Sequence, residues 1–423
     1  MHVKQNVLTA FKPRKTVESQ NAWNLYGDIA WFGVLAGVVT SFVSVFIIRL
    51  GGSDTQVGLL SALPAFVTIF VSMPGSVFVE RETRPLSVLL VTGVLYRAGY
   101  LVMGLLPLFL ATGSAWGVVI LSTLLTIPQS VANIAFTTMF AAVVKPERRA
   151  HIVSVRNALI GITSTATALI GGKFLDWFVF PLNYTVLFTL AFAASLMSSY
   201  YLTRIQLPPT PAPPVPRMPA QNPGLGGFFS IFRSSSNFAR FTLTSFAFQW
   251  GLFFTVPLYS IYVVRSLHAS EGWIGLINMV ASGTTILFYP LWGRLTARRG
   301  NRIAMIITTA GLAGYALLTP LIPSLYWILF VAFWGGIFSS GQVLAFFNGL
   351  LEVCGTPIQR PARIAAYNTL VNVAAFAAPL ISTVFVDRIG IENMLIAGGL
   401  LRLFGTFLIW QQRALDKKPR ATG

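Results

Sequence analysis

Polar side chains recur at helical spacing inside otherwise apolar stretches, and these are the residues whose types could do chemistry. Thr126, Gln129, Asn133 and Thr137 follow one another at three or four residues, which places them on one face of a helix. Comparable polar residues stand inside later apolar stretches: Gln249, Asn278, Ser282, Asn368 and Asn372. Amides and hydroxyls hydrogen-bond neutral or zwitterionic molecules, so these nine residues are candidates for binding a small molecule. The alternative is that they only join neighbouring helices.

Asp28 is the leading acid within an apolar stretch, and Asn24 and Trp31 share its predicted face. An acid at membrane depth that gains and loses a proton could couple a conformational change to protons. The alternative is an acid in the first turns of a helix, favoured by the helix dipole and still near water. Arg97 and Arg402 also lie deep in apolar stretches, where structural pairing is favoured and anion binding by Arg97 is the alternative.

The sequence gives no pattern for a cofactor, a metal or an enzymatic reaction. His2, His151 and His268 are scattered without metal-ligand spacing, and Cys354 is the only cysteine. No apolar stretch carries a paired nucleophile and base or a phosphate-binding loop. We therefore expect no cofactor and no enzyme.

Composition predicts an all-α integral membrane protein. The 423 residues are 55% hydrophobic and 10% charged, too few charges to cover a soluble protein of this size. Stretches of about 20 apolar residues can cross a bilayer as helices. Twelve are predicted, at 24–48, 55–78, 86–110, 115–143, 152–176, 181–203, 238–264, 272–296, 303–321, 325–351, 364–386 and 392–412. No signal peptide precedes the first, which is predicted to serve as signal and anchor.

The net charge of +18 follows a topological pattern rather than a nucleic-acid site. With the first helix starting inside, 23 of the 30 lysines and arginines fall on one side of the membrane. Four fall on the other side: Arg49, Lys173, Arg265 and Arg388. This asymmetry predicts a multi-pass protein of the plasma membrane, the inner membrane in bacteria, with both termini in the cytoplasm. The expected partners are the lipid bilayer and a small-molecule solute. Whether protons are also a partner is left open. We expect a monomer and no nucleic acid.

A proline-rich segment divides the helices six and six. Eight prolines lie within residues 208–223, which excludes a continuous helix there. The predicted organisation is a six-helix bundle at 1–203, a cytoplasmic linker at 204–236 and a second six-helix bundle at 237–423. The aromatic stretch 227–238 is predicted either to lie along the membrane surface or to form a loop.

The two halves are related in sequence. At an offset of 217 residues, Gly58 matches Gly275 and Arg81 matches Arg298. A second match at an offset of 211 runs through helices five and eleven. Its identical pairs are Asn157/Asn368, Leu159/Leu370, Ala166/Ala377, Leu169/Leu380, Ile170/Ile381, Phe174/Phe385 and Asp176/Asp387. The chain is thus predicted to consist of two pseudo-symmetric bundles.

These features resemble the major facilitator superfamily of secondary transporters. Its signature turn, Gly-x-x-x-Asp-Arg-x-Gly-Arg-Arg, is similar to 76–85 and to 293–302, although both copies are degenerate. In that family the turn stabilises one of the alternating-access states, and its small residue permits close helix packing. The resemblance assigns this conformational switch to Ser76, Glu80, Arg81, Arg84, Gly293 and Arg298.

The resemblance implies transmembrane transport of a small solute by alternating access, with proton coupling left open. One alternative keeps the fold as an uncoupled facilitator or as a lipid or drug exporter. Drug antiport is not favoured, because helix four lacks an arginine and the run at 167–172 lacks the proline of drug antiporters. An alternative of another class is a membrane assembly or receptor protein that moves nothing.

Overall fold

The computed structural model describes residues 17–82, 85–110, 112–207, 230–233, 235–355 and 359–412. Twelve long helices fill this part of the chain, each apolar enough to cross a membrane. The central linker residues 208–229 lie outside the described residues, so the predicted form of the proline-rich segment is not addressed by them.

All twelve predicted helices are present, with ends a few residues from the predicted ones. In the first half they are α1 Val17–Arg49, α2 Asp54–Arg81, α3 Pro85–Phe109, α4 Ser114–Val143, α5 Pro146–Trp177 and α6 Leu182–Thr203. In the second half they are α7 Ser236–Ile261, α8 Glu271–Arg299, α9 Asn301–Leu318, α10 Leu325–Val353, α11 Arg360–Ile389 and α12 Ile391–Gln411. A π-helical turn, Tyr262–Ser266, extends α7. The largest difference is α1, which begins seven residues earlier than predicted.

The chain forms two compact units. The first contains residues up to Val43 together with 70–217, and the second contains 44–69 together with the residues from 218 onward. Residues 44–69, the outer end of α1 and most of α2, therefore pack with the second sequence half. Phe66 of α2 stacks on Phe376 of α11 at 4.8 Å between ring centroids, which is one contact of this kind.

The second unit is built around a buried aromatic cluster at the linker-side end of α7. Phe238, Phe241 and Phe248 are fully buried and pack with residues of α9, α10 and α11. Residues 230–233 are helical, and Phe232 stacks on Phe238 at 5.5 Å. This part of the stretch 227–238 is therefore helical rather than a plain loop, and Ile231 and Phe232 pack against the unit's core.

Glycines set the distance between α7 and α12. A methyl group at Gly405 would lie 2.5 Å from the Phe248 Cα atom, and one at Gly251 would lie 2.8 Å from the Arg402 backbone nitrogen. A third contact places Gly398 against the Thr255 side chain. Small residues thus allow these two backbones to approach closely, as is common where helices pack without a hydrophobic driving force.

We predict that Gly405→Ala lowers the apparent melting temperature in detergent, at a cost of about 1–3 kcal/mol, since backbone atoms cannot move aside for the methyl group. The matched control is Gly283→Ala in α8, where the added methyl finds no atom within 4 Å in the described part of the chain. The control should melt no lower than the wild type, because alanine favours helix over glycine. Equal melting of the two variants would show that the α7–α12 contact is not tight.

Candidate functional site

A buried polar chain joins four helices of the first unit around Asp28. The Asp28 Oδ2 atom lies 3.0 Å from Arg156 Nη1 of α5, and Ser198 of α6 donates to Asp28 Oδ1 at 2.7 Å. Ser198 also accepts a hydrogen bond from Arg97 Nη2 of α3 at 2.9 Å. The side chains of Arg156 and Asp28 are only 10% and 5% exposed. One guanidinium group thus pairs with the carboxylate directly, and a second is linked to it through the Ser198 hydroxyl.

Two further contacts hold Arg156 in place. Its Nη1 atom donates to the Leu25 carbonyl at 2.5 Å, and its guanidinium lies over the Phe136 ring at 4.5 Å from the centroid. Because α1 begins at Val17, Asp28 lies three turns into the helix. The interpretation of Asp28 as a first-turn acid near water is therefore wrong, and its compensating charge is Arg156.

Arg97 is occupied by α6 rather than open to an anion. Its Nη1 atom donates to the Ser199 hydroxyl and to the Ser195 carbonyl at 3.4 Å, in addition to the bond with Ser198. Its guanidinium also lies 5.5 Å from the Phe32 ring centroid. Arg97 is 4% exposed, so structural pairing accounts for its position.

In the second unit, the buried arginine that bonds neighbouring helices is Arg402. It has no carboxylate partner among the described residues. It donates to the carbonyls of Gly251 at 3.2 Å and Leu312 at 2.7 Å, and it contacts the Thr255 hydroxyl. The side chain is 2% exposed. Backbone carbonyls of α7 and α9 therefore compensate this cation, and it holds α12 to both helices.

Five of the predicted binding amides make no hydrogen bond to the described residues. Gln129, Asn278 and Asn372 are half-buried, and Asn133 and Asn368 are exposed. Amides near the helix ends behave differently: Asn183 donates to the Leu175 carbonyl at 2.8 Å and accepts from the Tyr184 amide at 2.8 Å. Unpaired amides at membrane depth are costly against lipid, whereas they are satisfied where they line a water-filled space.

The remaining candidates are engaged to different extents. The hydroxyls of Thr126 and Thr137 donate back to carbonyls of their own helix, at 3.0 and 2.9 Å. Gln249 Oε1 and Ser245 Oγ of α7 are buried and have no hydrogen-bond partner among the described residues. Ser282 is half-buried and makes no hydrogen bond within the described residues. The two threonines therefore present only an acceptor oxygen, whereas Gln249 resembles the other unpaired amides.

Two ion pairs cross-link the repeats within the second unit. Arg49 at the end of α1 binds Glu271 at the start of α8, with Nε to Oε1 at 2.8 Å and Nη2 to Oε2 at 3.3 Å. Arg265, one residue before the repeat equivalent of Arg49, binds Asp54 at the start of α2. Each arginine also donates to a backbone carbonyl, Ala269 for Arg49 and Gly52 for Arg265.

The second signature turn is described more fully than the first. Gly300 adopts a φ of +83° between α8 and α9, and Asn301 then donates to Glu352 of α10 at 3.0 Å. Arg298 is exposed, and a methyl group at Gly293 would meet no atom within 4 Å among the described residues. Gly293 therefore makes no close helix contact among the described residues, and the switching role of Gly293 and Arg298 stays a prediction.

The first signature turn is described only in part. Ser76 is half-buried on α2. The side chains of Glu80 and Arg81, and Arg84 as a whole, lie outside the described residues. Their switching role stays a prediction.

A comparison with known sequence families decides the family. The sequence model described as Major Facilitator Superfamily matches residues 29–263 and again 241–423. The chain belongs to the Major Facilitator Superfamily. Its members carry solutes across membranes, so this multi-pass membrane protein transports a solute by alternating access. No curated protein sequence matches the chain significantly.

Solved transporter structures share the fold at low sequence identity. A bacterial homolog of the human lysosomal transporter Spinster, inward-facing and unoccupied, aligns with a TM-score of 0.72 and 14% identity, covering 96% of this chain and 100% of its own. A mutant of the nucleoside transporter NupG aligns at 0.73 and 11%, covering 95% and 100%. A POT family transporter in complex with a thioalcohol-conjugated peptide aligns at 0.71 and 14%, covering 92% and 95%. At these identities the likeness shows the fold alone.

Sequence reasoning found Asp28 but missed Arg156, Ser198 and the cross-linked pairs. Arg156 could have been recognised as the partner, since a charge at membrane depth requires an opposite charge. Arg49 and Arg265 stood out only as exceptions to the charge asymmetry, and they were expected to lie in loops. The available signal was that their acidic partners, Asp54 and Glu271, occupy matching positions in the two repeats.

We predict that replacing the unpaired amides by leucine leaves the unliganded protein at least as stable. Gln129→Leu and Asn278→Leu break no hydrogen bond to the described residues, so their apparent melting temperatures should equal or exceed that of the wild type. Asn183→Leu is the contrasting variant and should melt lower, because it orphans a buried carbonyl and a buried amide, at about 1–3 kcal/mol each. A large loss of stability in the first two variants would show that these amides pack helices.

We predict that Arg49→Glu and Glu271→Arg each lower the apparent melting temperature. The expected loss in free energy of unfolding is about 1–2 kcal/mol, because the pair is partly exposed. The double reversal should recover part of that loss, because the ion pair re-forms in the opposite sense while the Ala269 carbonyl still faces the wrong charge. Arg388→Glu is the matched control, an exposed arginine near the end of α11 without an ion pair in the described chain. Strict additivity of the two single effects would mean that the charges do not interact.

Proposed function

We propose that this chain moves a small neutral or zwitterionic solute and couples its movement to protons through Asp28. The contact that carries the coupling is the buried Asp28–Arg156 ion pair, and the unpaired amides indicate the class of solute. An uncoupled facilitator is the competing function, favoured if the same ion pair only holds α1 to α5.

The solute class follows from which polar groups are already engaged. Arg97, Arg156 and Arg402 all have partners within their own unit. Among the described candidate residues, those with unpartnered polar atoms are the neutral amides on α4, α7, α8 and α11, together with Ser282. A lining of amides and hydroxyls exchanges hydrogen bonds with a neutral or zwitterionic molecule, but it does not compensate a strong ion.

Coupling follows from the charge balance around Asp28. Arg156 is the arginine that pairs directly with Asp28, so protonating Asp28 leaves the Arg156 guanidinium without its carboxylate in an apolar interior. A proton can then be accepted only together with a rearrangement that brings water or another acceptor to Arg156. Protonation and conformation are thereby linked, as coupled transport requires.

The setting is proposed from the charge pattern. The asymmetric distribution of lysine and arginine supports a plasma membrane location, the inner membrane in bacteria, with both termini in the cytoplasm. We propose that the protein works as a monomer, without an enzymatic step, a cofactor or nucleic acid.

The test uses proteoliposomes that contain a pH-reporting dye and no imposed voltage. Nucleosides, dipeptides, neutral amino acids and sugars are added outside, with dicarboxylates and quaternary ammonium ions for comparison. A neutral or zwitterionic solute should cause internal acidification, and Asp28→Asn should abolish it while solute exchange at equal concentrations persists. The control is Glu147→Gln, an exposed acid in the first turn of α5 without an ion pair among the described residues, which should acidify like the wild type.

Three outcomes would contradict parts of the proposal. Acidification by Asp28→Asn at the wild-type rate would place coupling elsewhere. Exchange without acidification in the wild type would favour the uncoupled facilitator. Responses only to dicarboxylates or quaternary ammonium ions would overturn the solute class.

A further inference from the structure

A pocket of about 590 Å³ opens where α1 begins and α6 ends. Ser19, Gln20, Trp23 and Asn24 line it from α1, and Thr203 and Arg204 line it from the end of α6. None of these residues takes part in the Asp28 cluster, and none is a candidate solute-binding residue. Its place at the ends of two spanning helices puts it at the level of the membrane–water interface.

The floor of the pocket is fixed by amide-to-backbone hydrogen bonds. Asn21 donates to the Gln206 carbonyl and accepts from the Gln206 amide, both at 2.9 Å. Asn24 donates to the Arg204 carbonyl at 3.0 Å. Higher up, Gly27 lets the Tyr201 ring lie against the α1 backbone, since a methyl group there would be 2.7 Å from the ring. These contacts hold α1 and α6 together, so the pocket is shaped before any ligand binds.

The pocket offers hydrogen-bond donors suited to an anion. The exposed Arg204 guanidinium stacks over the Tyr200 ring at 4.7 Å and has no carboxylate partner within the described chain. Nearby cations are already committed: Lys145 and Arg148 pair with Glu18 at 3.4 and 3.5 Å. The Ser19 hydroxyl is also unpaired among the described residues. A planar guanidinium beside a hydroxyl suits a phosphate group, which it can bind with two parallel hydrogen bonds.

Apolar side chains continue from the pocket along the surface of α6. Leu196, Met197 and Tyr200 are each exposed by 40% or more, and Trp23 is 41% exposed at the pocket itself. On α6 the three lie at i, i+1 and i+4, which is one side of the helix. Tryptophan and tyrosine at helix ends are typical of the headgroup level of a bilayer. The acyl chains of a lipid whose phosphate occupied the pocket would therefore lie beside this apolar surface.

We propose that this pocket binds the phosphate headgroup of an anionic phospholipid, with Arg204 as its main contact. A basic pocket between spanning helices at the interface is a common form of lipid site. The occupant would bridge α1 and α6, the helices that also share the Asp28–Ser198 hydrogen bond. Lipid binding would thereby stabilise the helix pair beneath it.

The test compares thermal unfolding of the full-length protein, purified without lipid in a neutral detergent. Phosphatidylglycerol, phosphatidylcholine or inorganic phosphate is added in separate samples. Phosphatidylglycerol should raise the apparent melting temperature above that with phosphatidylcholine by at least ~2 °C. Arg204→Gln should abolish this difference, and Arg204→Lys, which keeps the charge but loses the fork, should retain part of it. The control Arg299→Gln, an exposed arginine at the end of α8, should keep the whole difference.

Several results would overturn the proposal. An equal difference in Arg204→Gln and the wild type would place the lipid effect elsewhere, as would its loss in Arg299→Gln. Equal stabilisation by inorganic phosphate alone would mean that the pocket takes a free anion. If Arg204→Gln is too unstable to melt cooperatively, native mass spectrometry of Arg204→Lys decides, since it should retain fewer phosphatidylglycerol molecules than the wild type.

Discussion

A charge buried among apolar helices is tolerated only where an opposite charge or a full set of hydrogen bonds compensates it, and the fold depends on meeting this condition. Three solutions occur in the described chain. Asp28 and Arg156 neutralise each other, Arg97 binds hydroxyls of α6, and Arg402 binds backbone carbonyls of α7 and α9. Each solution joins helices that are distant in sequence, so every deep charge also braces its unit.

Bracing by buried charge and packing by small residues act on the same helices. Gly251 both admits α12 closely and offers its carbonyl to Arg402, so the short distance is what brings the carbonyl within reach of the guanidinium. In the first unit, Gly27 admits Tyr201 of α6 one turn from the Asp28–Ser198 bond. A rocking mechanism needs bundles that move as rigid bodies, and these contacts supply rigidity inside each unit.

The sequence carried the fold well because span length and hydropathy are local properties, and all twelve helices were predictable from them. Contacts were less accessible, since they depend on how helices rotate and pack. Asp28 was identifiable from its type and depth, yet Arg156, 128 residues away, was not. The early start of α1 was missed because residues 18–21 are polar, although burial of Asn21 and Asn24 against the end of α6 orders this segment.

The cross-linked pairs differ from the deep charges in their access to water. Pairing Arg49 with Asp54 would only have fastened neighbouring turns of one repeat, whereas pairing it with Glu271 makes residues 44–69 depend on the second half. The arginine side chains are 35% and 39% exposed, so water can replace their partners at modest cost. Water does not reach Arg97 and Arg402, which are 4% and 2% exposed. Separating either arginine from its own partners would leave a buried charge uncompensated. The two exposed pairs can therefore open at modest cost, whereas the buried Asp28–Arg156 pair can open only if Arg156 gains another partner.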